Sequence, residues 1–204
     1  VRVNGKPQKP SYKVKPFDDI SMVLPWPVRE VELVPENIPL KVLFEDDHIL
    51  VIDKQPGLVV HPGHGNWTGT LVNALMFHFG QQPKKVGEME ARPGLVHRLD
   101  KNTSGVMVIG KTEQATTHLA DQFFHRTNDR RYLALVWGDL AEEEGTIEGH
   151  IGRSLKDRTV MQVFPEGEHG KPAITHWKVV ERFVYVTLVE CKLETGRTHQ
   201  IRAH

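Results

Sequence analysis

Five β-rich runs follow one another between Arg131 and Leu193 with no helical pattern among them: Arg131–Trp137, Thr146–Ile151, Thr159–Phe164, Ala173–Phe183 and Val184–Leu193. A parallel neighbour would need a crossover of about a dozen residues or more, whereas antiparallel strands can be joined by a tight turn. The connections here are short, so these strands are expected to run mostly antiparallel. With few helices elsewhere, the chain reads as an α+β fold built on a mixed, largely antiparallel sheet with a few flanking helices.

Upstream of that block the elements are shorter. Val1–Val3, an Asn4-Gly5 pair and Tyr12–Val14 suggest a strand, a tight turn and a returning strand. Pro25, Pro27, Pro35 and Pro39 punctuate a stretch of little periodicity, which places a linker there and a domain boundary near residue 37. Leu40–Phe44, His48–Ile52 and Leu58–Val60 read as short strands, and Val106–Ile109 as a central one. Two helices are expected. One covers Thr68–Phe79, with Leu71, Ala74, Leu75, His78 and Phe79 on one face and Gly80 as terminator; the other covers Glu113–His125, with Thr112 as N-cap and Ala115, Leu119 and Phe123 at i,i+4 spacing.

The chain has 204 residues, room for one well-buried domain and a small appendage. No apolar run approaches the ~20 residues of a membrane span, so no membrane role is expected. The single cysteine, Cys191, cannot form an internal disulfide or a zinc ribbon, and no secretory signal opens the sequence; both point to the cytoplasm. The sequence opens on Val1 and closes on His204 inside a motif, which leads us to expect a piece of a longer protein. Formal net charge is zero, yet basic residues gather locally. Arg92, Arg98, Lys101, Lys111, Arg126, Arg130 and Arg131 outweigh four nearby carboxylates, and Arg153, Lys156, Arg158, Arg197 and Arg202 follow. A basic face on a neutral protein is the expected result.

Two stretches carry chemistry. In Gly94-Leu95-Val96-His97-Arg98-Leu99-Asp100-Lys101-Asn102-Thr103-Ser104-Gly105, a carboxylate stands among cations at the mouth of an apolar strand. Such a carboxylate stays ionised and can serve as a nucleophile at neutral pH. In Leu193-Glu194-Thr195-Gly196-Arg197-Thr198-His199-Gln200-Ile201-Arg202-Ala203-His204, a turn after a long strand opens into a helix. An arginine near a helix N-terminus opposes the macrodipole, so Arg197 is expected to meet an anion.

Together these stretches resemble the RluA/RluD family of pseudouridine synthases. Asp53–Pro62, Arg131–Gly138 and Gly170–Trp177 are similar to further family segments, the last to those of the RluD-like branch. Residues 1 to about 20 look like the end of an alpha-L RNA-binding module. The sequence departs from the family's habit at Gln55, where proline is usual, and at Asn102, where an acid is usual. The resemblance implies residues 1–36 as the remainder of an RNA-binding module with a linker, and 37–204 as a catalytic domain incomplete at its C-terminus.

The resemblance also implies roles. Asp100 would be the nucleophile, Arg197 its ion-pair partner, and Tyr132 the ring stacked on uracil and a candidate to take the proton from carbon 5. Arg98 would fill the gap left by a flipped nucleotide, and His97, Lys101, Lys54, His199 and Arg202 would contact substrate. The expected partner is RNA, by resemblance large-subunit ribosomal RNA, bound by a monomer with no metal, nucleotide or redox cofactor. Enzymes that act on a base must first extrude it, at a cost of a few kcal/mol.

Rival readings are weaker. Gly105–Thr112 formally fits a phosphate-binding loop, but Val106-Met107-Val108-Ile109 is itself the strand such a loop should follow. His61-Pro62-Gly63-His64 lacks a second cluster to complete a metal site. A glycosidase would need two cooperating carboxylates, and a non-catalytic RNA-binding module would tolerate loss of Asp100, Tyr132 or Arg197, all of which are present.

Overall fold

The structure, a computed structural model, describes residues 1–9, 11–22, 32–63, 65–82, 84–85 and 93–204, with backbone alone for 84–85. In chain order the strands are β1 (Arg2–Val3), β2 (Lys6–Pro7), β3 (Ile20–Ser21), β4 (Glu32–Leu33), β5 (Lys41–Glu45) and β6 (Ile49–Lys54). Helix α1 (Leu71–His78), β7 (Lys84–Lys85), β8 (Gly105–Gly110) and α2 (Glu113–His125) follow. The remainder is β9 (Arg131–Trp137), β10 (Glu144–Arg153), β11 (Met161–Phe164), β12 (Lys171–Arg182), β13 (Val186–Leu193) and α3 (Gln200–Ala203).

The expected antiparallel block forms a five-stranded sheet in the order β11-β10-β12-β13-β9, every pair antiparallel. A three-stranded antiparallel sheet, β5-β6-β8, stands beside it. Alternation fixes which side chains face inward. Leu50 and Ile52 of β6 are buried, as are Met107 and Ile109 of β8, and α1 covers them with Leu71 and Leu75. Leu99 joins this core and Tyr132 of β9 packs against it, so the two sheets meet around the segment that carries Asp100.

Local chemistry shifts several expected boundaries. α1 begins at Leu71 because Thr70 caps it: its backbone N–H donates to Asn73 Oδ1 at 3.0 Å, and its side chain accepts from the Asn73 backbone in a reciprocal capping box. Leu58–Val60 is no strand; it makes one bridge, Val59 to Thr70. The Asn4-Gly5 turn returns at once into β2, not at Tyr12–Val14, and β3 completes a small three-stranded sheet. α2 spans the expected residues, capped by Thr112, and ends where Arg126 takes a left-handed conformation at φ 57°. Gly105–Gly110 is a strand, which removes the phosphate-loop reading. Pro25, Pro27, His64 and Arg92 lie outside the described residues. Among the described ones no cluster of three or more metal-ligating side chains occurs, and no helix is long and apolar enough to cross a membrane.

Candidate active site

The segment before Asp100 is laid along the free edge of β8. Gly110 N–H donates to Gly94 O at 3.0 Å, Leu95 bridges to Ile109, and Val108 N–H donates to the His97 imidazole Nε2 at 3.0 Å. His97 thus supplies with its ring the acceptor that a neighbouring strand would have supplied with a carbonyl. Gly94 sits at φ 60°, and a Cβ there would run into the Gly110 carbonyl; only glycine allows this approach. The His97 ring stacks on Phe123 of α2, centroids 4.4 Å apart. Burial, and then the charge of Arg130, pushes its pKa down to about 4, so the ring is neutral at physiological pH.

Beyond Leu99 the chain turns, with Thr103 N–H donating to Asp100 O at 3.1 Å. Lys54 holds this turn from below. It continues the buried face of Leu50 and Ile52, is 0 % exposed, and donates through Nζ to the carbonyls of Gln55 (3.0 Å), Leu58 (3.0 Å) and Lys101 (3.2 Å). Gly57 N–H also donates to Lys101 O, at 2.8 Å. Burial lowers the Lys54 pKa, and the charge of nearby Asp100 opposes that shift. The expectation that Lys54 contacts substrate is therefore corrected: the ammonium is spent on backbone carbonyls beneath the site.

The late motif reaches Asp100 from the other sheet. Gln200, buried, satisfies all its bonding capacity: Oε1 accepts from Thr195 Oγ1 (2.8 Å) and Arg197 N (3.0 Å), and Nε2 donates to Ile174 O (3.0 Å) and Thr175 Oγ1 (2.9 Å). His199 precedes α3 in a left-handed conformation, φ 57°. This fastening aims Arg202 at Asp100, Nη2 to Oδ2 at 2.7 Å, while His199 Nε2 lies 3.9 Å from Oδ1. Burial lowers the His199 pKa; Asp100 opposes this, while the charges of Arg202, Arg98 and Arg153 add to it.

The expected Arg197–Asp100 pair is thus corrected. Arg197 Nε donates to the Pro172 carbonyl at 2.9 Å, and the anion the motif was expected to meet is met by Arg202 instead. The reason is register: the turn at Thr195-Gly196 places Arg197 before α3, and its second arginine projects from the helix itself.

These elements enclose a cavity of about 700 Å³, bordered by Asp100, Arg98, Tyr132, Arg202, Phe123 and Phe124 among others. Among the described residues its basic ones are Arg98, Arg126, Arg130, Arg197 and Arg202, with His97, and its one carboxylate is Asp100, whose side chain is 22 % exposed. Lys101 is exposed beside it. Arg131, exposed at the start of β9, does not border the cavity. It pairs with Asp129 (3.1 Å) and Glu190 (2.9 Å). Arg153 donates to Arg158 O at 2.5 Å.

Sequence reasoning missed Gln200 and Phe124. The Lys54 arrangement had a signal, since Leu50, Ile52 and Lys54 share one face of a strand; Gln200 had none.

The arrangement defines an α+β domain with a carboxylate, braced by an arginine, in a cavity bordered by further arginines and with a tyrosine in its wall. A family model described as RNA pseudouridylate synthase matches residues 48–204. An uncharacterized RNA pseudouridine synthase of Chlorobaculum parvum is 51% identical over 205 residues, covering 100% of this chain and 62% of that protein. The ribosomal large subunit pseudouridine synthase D of Nitrosomonas europaea is 54% identical over 169 residues, 83% of this chain and 46% of its own length. Among solved structures, human RNA pseudouridylate synthase domain containing 1 superposes with a TM-score of 0.65 at 26% identity, covering 81% of this chain and 64% of that one. The chain belongs to the RNA pseudouridylate synthase family and is of the RluA/RluD type. It spans less than two thirds of the length of these relatives.

Proposed function

We propose that this chain carries the catalytic unit of an enzyme that isomerises uridine to pseudouridine in RNA, with large-subunit ribosomal RNA as its substrate. The observation that supports this best is the Asp100–Arg202 pair at 2.7 Å inside a cavity whose other charged lining, among the described residues, is cationic. The reaction breaks the bond from uracil N1 to the sugar's C1′ and makes one from C5 to C1′; C5 gives up its proton and N1 takes one up. Asp100 is the nucleophile, toward the anomeric carbon or the uracil ring, or the group that assists loss of a ribose proton. Arg202 pairs with it and aims it, a place sequence reasoning gave to Arg197. Tyr132 lies against the base and is placed to accept the C5 proton, while Arg98 fills the space vacated by the flipped nucleotide.

The ribosomal substrate is supported by the names of relatives such as the synthase D proteins of Nitrosomonas europaea and Xanthomonas campestris. Residues 1–36 are the end of an RNA-binding module with its linker, and 37–204 the catalytic unit, acting as a cytoplasmic monomer. Release of tritium from uridine labelled at C5 tests the activity. A protein that binds ribosomal RNA tightly yet releases no label at stoichiometric concentrations would be a binding module and not a synthase.

A further inference from the structure

The last turn of α2 presents two adjacent phenylalanines to the same cavity in opposite circumstances. Phe123 is used up internally: the His97 ring covers one side at 4.4 Å and the Arg130 guanidinium carbon lies 5.5 Å from its centroid. Phe124, also bordering the cavity, is 80% exposed, and among the described residues its one ring contact is a T-shaped one with His125, centroids 5.0 Å apart at 87°. Most of the ring's surface is open to solvent, so a flat face is available.

What surrounds that face selects the partner. The cavity it borders is lined by Arg98, Arg126, Arg130, Arg197 and Arg202, with Asp100 as the one carboxylate among the described residues. An apolar ring beside arginines suits a polyanion that also carries flat apolar faces, and a nucleic-acid strand has both. Leu133, Leu135 and Trp137 on β9 are also exposed, but the two leucines that border the cavity carry no ring and Trp137 does not border it.

We propose that Phe124 is a stacking platform for a base of single-stranded RNA next to the nucleotide that enters the cavity, with the neighbouring phosphates held by Arg126 and Arg130. This rests on the RNA reading above and adds to it a specific residue and a specific contact. Stacking tolerates any base, so Phe124 contributes affinity and not sequence choice.

The test uses the purified protein and a uridine-rich single-stranded oligoribonucleotide carrying one 2-aminopurine, whose fluorescence falls when it stacks. Phe124→Ala is expected to raise the dissociation constant about tenfold, about 1.4 kcal/mol, and to abolish the quenching. The slope of log affinity against log salt stays unchanged, because no charge is removed. Phe124→Trp restores both affinity and quenching; Phe124→Leu, of similar apolar size without a ring, restores neither. Tyr185→Ala, which removes a similarly exposed aromatic at the β12–β13 turn (77% exposed) that does not border the cavity, changes nothing. Affinity of Phe124→Ala within twofold of the parent, rescue by leucine, or absence of oligonucleotide binding by the parent protein would each overturn the platform. Tritium release is measured on the same preparations. A parent protein that binds and quenches but releases no label defeats the synthase reading and leaves Phe124 standing, while normal release with an inert Phe124→Ala does the reverse.

Discussion

The floor of the cavity and its rim are built on opposite principles. On the floor, Lys54 makes three hydrogen bonds to backbone carbonyls, Gln200 makes four, and His97 accepts one from the edge of β8. Buried polar groups are costly unless bonded, but when fully satisfied they specify one geometry. On the rim, Arg98, Arg126 and Phe124 are exposed. Exposed long side chains give adaptable contacts at little cost to the fold. A device that must hold a carboxylate and arginine at 2.7 Å needs the first design, and one that must receive a strand of varied sequence needs the second. Changes on the floor should therefore lower turnover, and changes at the rim should weaken binding.

The sharpest way to break this division is Asp100→Asn. Turnover should fall by about 10⁴-fold or more, while RNA affinity changes less than tenfold, measured by single-turnover tritium release and by filter binding. Residual turnover near the parent level, with deamidation back to aspartate excluded by mass spectrometry, would remove Asp100 from the nucleophile's place.

Next in size is the comparison of the two arginines of the late motif. Arg202→Ala should cost about 10² to 10³-fold in kcat, the range found when a preorganised charge partner is removed. Arg197→Ala loses a bond to the Pro172 carbonyl and should cost less than about tenfold, mainly through the turn it supports. Equal losses in kcat would mean that the reassignment from Arg197 to Arg202 fails.

Lys54→Met sharpens the argument further, because methionine keeps the apolar stem and deletes the charge. Two carbonyls lose a buried donor and that of Lys101 keeps Gly57, so stability should drop by about 2 to 4 kcal/mol. kcat should fall about tenfold as the Asp100 turn loosens, with KM nearly unchanged. A rise in KM at constant kcat, in urea-free buffer where the variant is folded, would return Lys54 to substrate contact.

Pattern carried most of the fold and about half of the site's wiring. Alternation over long strands with short connections is a strong signal, and β9 to β13 formed from it, as did α2 from Thr112 and its i,i+4 face. Short segments were legible only in outline. Leu58–Val60 is apolar enough for a strand, but its one bridge goes to Thr70. Asp100, Arg98 and Tyr132 were singled out because unusual residue types stand in a recognisable order, and all three border one cavity. The pairing across 102 positions from Asp100 to Arg202 depends on the left-handed turn at His199 and the fastening of Gln200. Neither leaves a mark in local composition, since a buried glutamine is spelled like a surface one. Phe124 is the mirror case: periodicity separates it from Phe123, but no sequence rule says that an outward phenylalanine will stand over a cationic cavity.

The smallest expected effect is the most specific to the floor, and it concerns acid. His97 is half-buried, and its folded pKa is held at about 4, below the ordinary histidine value of 6.5. The unfolded chain therefore binds a proton at this residue before the folded chain does. The stability contributed by the neutral ring is complete above about pH 6.5, declines as pH falls, and is fully lost below about pH 4. The limit set by the shift is about 3 kcal/mol, and relaxation around the charged ring should reduce what is observed to about 2 kcal/mol. Protonation also removes the acceptor for Val108 N–H, so the damage should appear first at the edge of β8 and in the Asp100 turn. His97→Asn can retain an acceptor but has no proton to gain in this range. It should lower stability at pH 7.5 by about 1 to 2 kcal/mol through lost stacking on Phe123, and flatten the acid limb between pH 6.5 and 4. Urea unfolding across that range measures both. An acid limb as steep in the asparagine variant as in the parent would show that other groups, and not His97, carry the acid sensitivity of the floor.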